Sequence, residues 1–146
     1  MAHSQSSRDL NTVGINDFHT ENSRTLLMCA ACLQDPGTRA KFIRLLLEKG
    51  ADVNCQDEDG RTALSHACEM GHLDVVKLLV QFNADPDVSD AWGNSALMYA
   101  AFSGHSQVLE FLIRAFKRLG LSMGLVHIFK RIIDFCCQCM HHVVLW

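Results

Sequence analysis

A motif of about 33 residues recurs along this chain, and that period restricts the fold more than any composition figure. Asp57-Glu58-Asp59-Gly60-Arg61-Thr62-Ala63-Leu64 aligns with Asp90-Ala91-Trp92-Gly93-Asn94-Ser95-Ala96-Leu97 at an offset of 33. The same offset carries Ala67 to Ala100, Gly71-His72 to Gly104-His105 and Leu79 to Leu112. An earlier copy is interrupted. Thr25-Leu26-Leu27 aligns with Thr62-Ala63-Leu64 at an offset of 37, whereas Leu45-Leu46 aligns with Leu78-Leu79 at 33, so four extra residues fall near Gln34-Asp35-Pro36-Gly37. Pro and Gly punctuate turns, which predicts that the insertion lies between two helices. A period of this length marks a solenoid, whose units cannot bury their apolar faces alone and therefore stack. Such a stack offers an extended surface to a partner rather than a catalytic pocket.

The middle copy shows how one unit is built. Thr62 opens a short helix whose apolar face is Leu64, Ala67 and Cys68, small enough for a neighbour to approach closely. Gly71 ends it, because glycine tolerates the left-handed conformation common at helix ends. Leu73, Val75, Val76, Leu78 and Leu79 follow with the apolar spacing of a second helix. Asn83-Ala84-Asp85-Pro86 is expected to stop that helix, since proline disfavours helical backbone at the residue before it. The polar link from Asp87 to Gly93 suits a projecting turn or hairpin. The expected fold is all-α: a solenoid of about three helix-turn-helix repeats, at about 21–56, 57–89 and 90–119, with projecting loops.

At this level of detail the chain resembles the ankyrin-repeat family. Leu45-Leu46-Leu47-Glu48-Lys49-Gly50-Ala51-Asp52-Val53-Asn54 and Gly71-His72-Leu73-Asp74-Val75-Val76-Lys77-Leu78-Leu79 lie close to that family's pattern. The resemblance covers about residues 22–119. It departs where the family has Thr-Pro-Leu-His: this chain reads Thr62-Ala63-Leu64-Ser65, Ser95-Ala96-Leu97-Met98 and Thr25-Leu26-Leu27-Met28. The resemblance implies that the absent histidine removes a hydrogen bond and weakens these copies. The third copy ends Ala115-Phe116-Lys117-Arg118-Leu119, so the pattern stops there.

The resemblance also implies a non-catalytic adaptor or regulator that binds another protein through loop tips and first-helix faces. Carried over position by position, the contacts are Gln56, Glu58, Asp59, Arg61, Glu69 and Met70 in the middle copy, and Ser89, Ala91, Trp92, Asn94, Phe102 and Ser103 in the third. Two of these stand out on residue chemistry alone. Trp92 falls in a turn between Asp90 and Gly93, and Phe102 takes the slot held by Glu69 one repeat earlier. Aromatic anchors within a polar rim are typical of binding hot spots. Trp92 has a second reading, in which it folds back over its own hairpin. The loop acids Asp52, Asp57, Glu58, Asp59, Asp85, Asp87 and Asp90 also have two readings: steering of a basic partner, or local capping of turns.

Charge and cysteine usage narrow the function classes. The net charge of −3 conceals a split: residues 1–110 hold eight Lys/Arg against fifteen Asp/Glu, and residues 111–146 hold five against one. A broad basic face for nucleic acid is absent. The start is polar and lacks an apolar signal run, and the seven cysteines form no regular framework, so an intracellular, reduced location is expected.

Chemistry-bearing motifs are few. Gly120-Leu121-Ser122-Met123-Gly124, with Asp134 and His141 after it, imitates a hydrolase nucleophile elbow. That elbow needs a preceding strand and a large sheet, and the residues before it read as helix, so no enzyme is predicted. Cys29-Ala30-Ala31-Cys32 lies in a first helix rather than beside a βαβ pattern, which favours small apolar packing over redox chemistry. His72 and His105 recur at the repeat period and are read as turn residues.

Residues 120–146 are apolar and rich in Cys and His, and they admit several readings. Cys136, Cys137, Cys139, His141 and His142 are soft metal ligands without a second spaced pair. Lys130, Arg131 and Asp134 cut the tail into apolar runs too short to span a membrane. Interfacial attachment, with Lys130-Arg131 beside acylated cysteines, is the one membrane contact the sequence allows. Leu125, Ile128, Phe129, Ile132, Ile133 and Cys136 have helical spacing and suit a terminal cap. The abrupt loss of pattern also fits an alternative ending of a longer repeat protein. No metal and no cofactor is predicted. Residues 1–20 read as a polar arm, with a partial capping turn from Asn11 to Phe18.

Overall fold

The structure is a computed structural model that describes residues 14–118. Its helices are α1 (Leu26–Ala31), α2 (Pro36–Glu48), α3 (Ala63–Met70), α4 (Leu73–Gln81), α5 (Ala96–Phe102) and α6 (Ser106–Arg118). They pack in pairs, α1 with α2, α3 with α4 and α5 with α6. First helices touch first helices (α1 to α3 to α5), and second helices touch second helices (α2 to α4 to α6). The result is two helical layers with one continuous core between them. Among the described residues there is no strand, only an isolated bridge between His19 and Thr25, so the projecting loops are turns rather than ribbons.

Each first helix is short, and its inner face is small. Ala63, Leu64, Ala67 and Cys68 of α3 are buried, as are Ala96, Leu97, Ala100 and Ala101 of α5. Thr62 begins α3 as its N-cap: its hydroxyl accepts from the Ser65 amide at 3.2 Å, and the Ser65 hydroxyl accepts from the Thr62 amide at 3.5 Å. This reciprocal arrangement satisfies two amides that a helix start would otherwise leave open. The resemblance implies that the absent histidine removes a hydrogen bond here; Ser65 stands at that position and makes this one with Thr62. In the third repeat the expectation fits better, because Ser95 makes no side-chain cap bond.

The turn between α3 and α4 fixes the repeat's geometry. Gly71 adopts φ 73° and its neighbour's amide, His72 N, returns to the Ala67 carbonyl at 3.0 Å. A β-carbon on Gly71 would also lie 2.5 Å from Nδ1 of His105, so the position is closed both by backbone and by space. The recurring histidines are staples between repeats. Nδ1 of His72 donates to the Ala31 carbonyl at 2.8 Å, and Nε2 of His105 donates to the Glu69 carbonyl at 2.9 Å. Each thereby ties a second helix's start to the end of the preceding first helix.

One boundary expectation needs correction. The four extra residues do not sit in the link between α1 and α2. They form an added turn at the start of α2, with Asp35 as N-cap accepting from the Thr38 amide at 2.8 Å and Pro36 in the first turn. Proline is suited to that position because its missing amide would be unpaired there anyway. The added turn carries Arg39, which is buried and bonds Asp74 of α4 through Nε at 3.2 Å and Nη2 at 2.9 Å. The second helix of the middle repeat stops at Asn83-Ala84-Asp85-Pro86 as expected, but through Asn83 rather than Pro86. The helix ends at Gln81, and Asn83 takes a left-handed φ of 66° in the register held by Gly50 one repeat earlier. Ala84 N then reaches the Leu79 carbonyl at 2.9 Å and Asn83 N reaches Val80 at 3.1 Å, closing the helix end. Phe116 fills this register in the third repeat. It is buried, and α6 runs through it to Arg118.

The three leucines that mark the period share one environment. Leu79 and Leu112 are fully buried, and Leu46 is half-buried against the same core. The readings placed on residues 1–13 and on the tail lie outside the described residues. These include the Gly120–Gly124 elbow with Asp134 and His141, the Cys136–His142 cluster and the capping helix. Among the described residues no helix is long and apolar enough to cross a membrane, and no group of His, Cys, Asp and Glu could hold a metal ion.

Candidate partner-binding surface

The loop tips of the middle and third repeats are each held by a buried aspartate that acts as an internal acceptor. Asp57 Oδ1 accepts from the amides of Asp59 (3.0 Å) and Arg61 (2.9 Å). Its Oδ2 accepts from Nε2 of His66 at 2.9 Å. One repeat later Asp90 Oδ1 accepts from the amides of Trp92 (3.0 Å) and Asn94 (2.8 Å), and Oδ2 accepts from the Tyr99 hydroxyl. Residue 57 maps to 90 and residue 66 to 99 by the same offset of 33. His66 and Tyr99 therefore perform one task, reaching from a first helix down to the carboxylate beneath the turn.

Electrostatics follow from that burial. Burial opposes ionisation of Asp90, but the bonds from Tyr99, Asn94 and Trp92 outweigh it and hold the carboxyl below its ordinary pKa. Burial pushes the Tyr99 hydroxyl up, and its bond to Asp90 adds to the shift. Burial also holds the His66 imidazole below its ordinary value, against the pull of Asp57. His66 is thus a neutral donor near pH 7. Cys68 is similar in kind: its burial raises the thiol far above the ordinary range, so it packs as an apolar group.

Neighbouring loop tips are also bonded to one another. Glu58 N donates to the Asn22 carbonyl at 3.1 Å, and Ala91 N donates to the Asp59 carbonyl at 2.9 Å. The Gln56 amide bridges Gly60 O (2.9 Å) and Ser89 O (3.3 Å). A β-carbon at Gly60 would lie 3.2 Å from the Ala91 nitrogen, in a backbone conformation of φ 78° that side chains disfavour. Three successive loops thus form one ridge stitched along its length.

The structure sorts the twelve residues implied by the resemblance into different positions. Gln56, Glu58, Asp59, Glu69, Met70, Ser89, Ala91, Trp92, Phe102 and Ser103 are exposed. Trp92 is 67% exposed, so it does not fold back to cover its own turn. Phe102 is 51% exposed at the end of α5. Arg61 and Asn94 are half-buried instead. Arg61 pairs with Glu69 and lies 4.4 Å from the centroid of the Tyr99 ring, which commits it to joining two repeats. The loop acids divide likewise. Asp57 and Asp90 serve the turns from within, while Asp52 and Asp85 accept from the amides of Asn54 (3.0 Å) and Asp87 (2.9 Å). Glu58 and Asp59 keep exposed carboxylates on the ridge.

Sequence reasoning missed His66 and Tyr99. The signal was present, since each lies nine residues after a loop aspartate, but histidine and tyrosine share no property that a repeat alignment would single out.

Comparison with known proteins agrees with this architecture. A family model described as Ankyrin repeats (3 copies) matches residues 7–90 and 27–120. Ankyrin repeat domain-containing protein 63 from Homo sapiens is 61% identical over 109 residues, and its counterpart from Mus musculus is 60% identical over the same length. Those alignments cover 75% of this chain but 29% and 28% of the relatives, so the chain spans under a third of their length. A stretch of 35 residues, about one repeat, is 60% identical to the Probable E3 ubiquitin-protein ligase XBOS33 of Oryza sativa subsp. japonica, covering 7% of that protein.

Proposed function

This chain belongs to the ankyrin-repeat family, and on that premise we propose that it is a non-catalytic adaptor or regulator which grips another protein through its stitched loop tips and the ends of its first helices. Ankyrin repeats are in general protein–protein interaction modules. The observation that carries the reading is Trp92. A tryptophan 67% exposed at the tip of a turn locked by Asp90 is a large apolar surface carried on a backbone already held in place. Binding through it does not have to order the loop backbone, and that saving separates a strong contact from a merely large one.

The contact residues in this reading are Glu58, Asp59, Glu69, Met70, Ser89, Ala91, Trp92, Phe102 and Ser103. Gln56, Arg61 and Asn94 support them through bonds within the ridge and the body of the stack. Glu58 and Asp59 steer a partner with a basic surface toward the ridge. An intracellular site of action accompanies this reading, with Cys29, Cys32, Cys55 and Cys68 as free thiols.

The test is affinity capture from cells with the full chain and with Trp92→Ala and Phe102→Ala, after circular dichroism confirms unchanged helicity. The reading expects a protein captured by the wild-type chain to be lost or strongly depleted with Trp92→Ala. An identical captured set with both variants contradicts it.

A further inference from the structure

The first repeat exposes a face that the other two repeats bury. The period makes the comparison direct. Leu26 stands in register with Ala63 and Ala96, Phe42 with Val75 and Val108, and Leu45 with Leu78 and Phe111. The middle and third repeats each follow another repeat, and there Ala63, Ala96, Val75, Val108 and Leu78 are buried while Phe111 packs half-buried against the core. In the first repeat Leu26, Phe42 and Leu45 are 40%, 48% and 49% exposed. These are the positions at which a repeat leans on its predecessor. Among the described residues, the exposed face of α2 is the one that α4 presents to α2 and that α6 presents to α4.

The open face has a definite length and charge. A groove runs along α2 from Gly37 to Glu48. At about 1.5 Å per residue it is roughly 16 Å long, which matches a helix of three turns. Lys41 and Arg44 stand exposed beside Phe42 and Leu45. The later repeats hold Asp74 and Gln107 in the Lys41 register, and Lys77 and Glu110 in the Arg44 register, so only the first repeat carries two cations there. They sit within residues 1–110, where acids outnumber bases by fifteen to eight.

We propose that this end face is a docking groove for an acidic amphipathic helix of about three turns supplied by a partner protein. Its apolar stripe covers Phe42 and Leu45, and its carboxylates pair with Lys41 and Arg44. Helix-in-groove recognition of this kind is read through anchors at i, i+3, i+4 and i+7. A second copy of the chain is a worse occupant, because it would bring the same excess of cations, Lys41 and Arg44 against the single Glu48 of the groove, to both sides of the pairing. The groove lies on a second helix, away from the loop ridge, so one chain can hold two partners at once.

The test uses the full chain and three fluorescently labelled peptides of about twelve residues. One carries a leucine stripe flanked by glutamates, the second the same stripe flanked by lysines, and the third the acidic composition in scrambled order. Anisotropy titration should show binding of the acidic peptide and weaker or no binding of the other two. Phe42→Ala with Leu45→Ala should weaken the acidic peptide by about tenfold or more. Lys41→Glu with Arg44→Glu should transfer preference to the lysine peptide. All four positions are exposed, and circular dichroism of each variant checks the fold. Equal binding of acidic and scrambled peptides, insensitivity to both double variants, or loss of binding on Trp92→Ala would overturn the proposal. So would binding that appears only after deletion of residues 1–13, because the chain's own segment would then be the occupant. Self-association in sedimentation that Lys41→Glu with Arg44→Glu strengthens would overturn it in favour of a second copy.

Discussion

Replacing Asp90 with alanine removes the acceptor on which the tip of the third-repeat loop is built. Three donors lose their partner at once: the Trp92 amide at 3.0 Å, the Asn94 amide at 2.8 Å and the Tyr99 hydroxyl. A hydrogen bond to a charged group contributes about 1.5–3 kcal/mol. The three cannot be added, because Trp92 is exposed and its amide regains water, and because one carboxylate serves all of them. The partly sheltered bonds to Asn94 and Tyr99 dominate, and the expected loss is about 3 kcal/mol. That is a large share of the roughly 5–15 kcal/mol that holds a small domain together.

Urea denaturation followed by circular dichroism measures this loss at pH 7. Asp90→Asn should recover part of it, since its side-chain oxygen still accepts from the amides. In a Trp146→Phe background, Trp92 fluorescence anisotropy should fall in Asp90→Ala as the tip loosens. The pH sign is fixed by the folded carboxyl lying below its ordinary value. The Asp90 contribution is complete above the unfolded carboxylate pKa, about 3.9, and is lost as pH falls through the folded value. A stability change under about 1 kcal/mol, with unchanged anisotropy, would refute the view that Asp90 organises the loop.

Further expectations rest on neighbouring details. Gly71→Ala should cost about 2–3 kcal/mol, from a left-handed alanine and a displaced His105 that gives up its bond to Glu69. Gly104→Ala, whose β-carbon would meet nothing within 4 Å, should cost only about 1 kcal/mol, and equal losses in the two variants would show that the His105 contact is irrelevant. His66→Gln keeps a donor for Asp57 but does not titrate. Because folded His66 lies below its ordinary pKa, the unfolded chain takes the proton first, and wild-type stability should fall as pH drops below about 6.5. The glutamine variant should lose that component of the slope between pH 7.5 and 5.5, and an unchanged slope would assign the titration elsewhere.

The periodic core was legible in the sequence because solenoid packing repeats its demands. The spacing from Leu79 to Leu112 and the glycine at 71 both follow from what every repeat must do. Local decisions were harder to read. Pro36 looked like a break, yet at the start of a helix it is harmless, and the insertion became helix. Pro86 looked like the stop for α4, but Asn83 had already turned the chain with a left-handed residue. Ser65 looked like a lost histidine, and its hydroxyl completes a reciprocal cap with Thr62. The aspartates were half legible. Local capping of turns was one of their two readings, and Asp57 and Asp90 do accept from the amides of their own turns; the second bond, from His66 or Tyr99 on the first helix, needed the structure. The position of Arg61 was also out of reach: its register is a loop tip, but Tyr99 and Glu69 draw it inward.

Amide hydrogen exchange of the full chain, free and saturated with a partner recovered by capture, reads directly whether the loop ridge is the contact surface. Slowed exchange is expected in the loop segments around Glu58–Gly60 and Ala91–Gly93 and at the ends of α3 and α5. Protection confined to α4 and α6, with those tips exchanging as in the free chain, would contradict that reading.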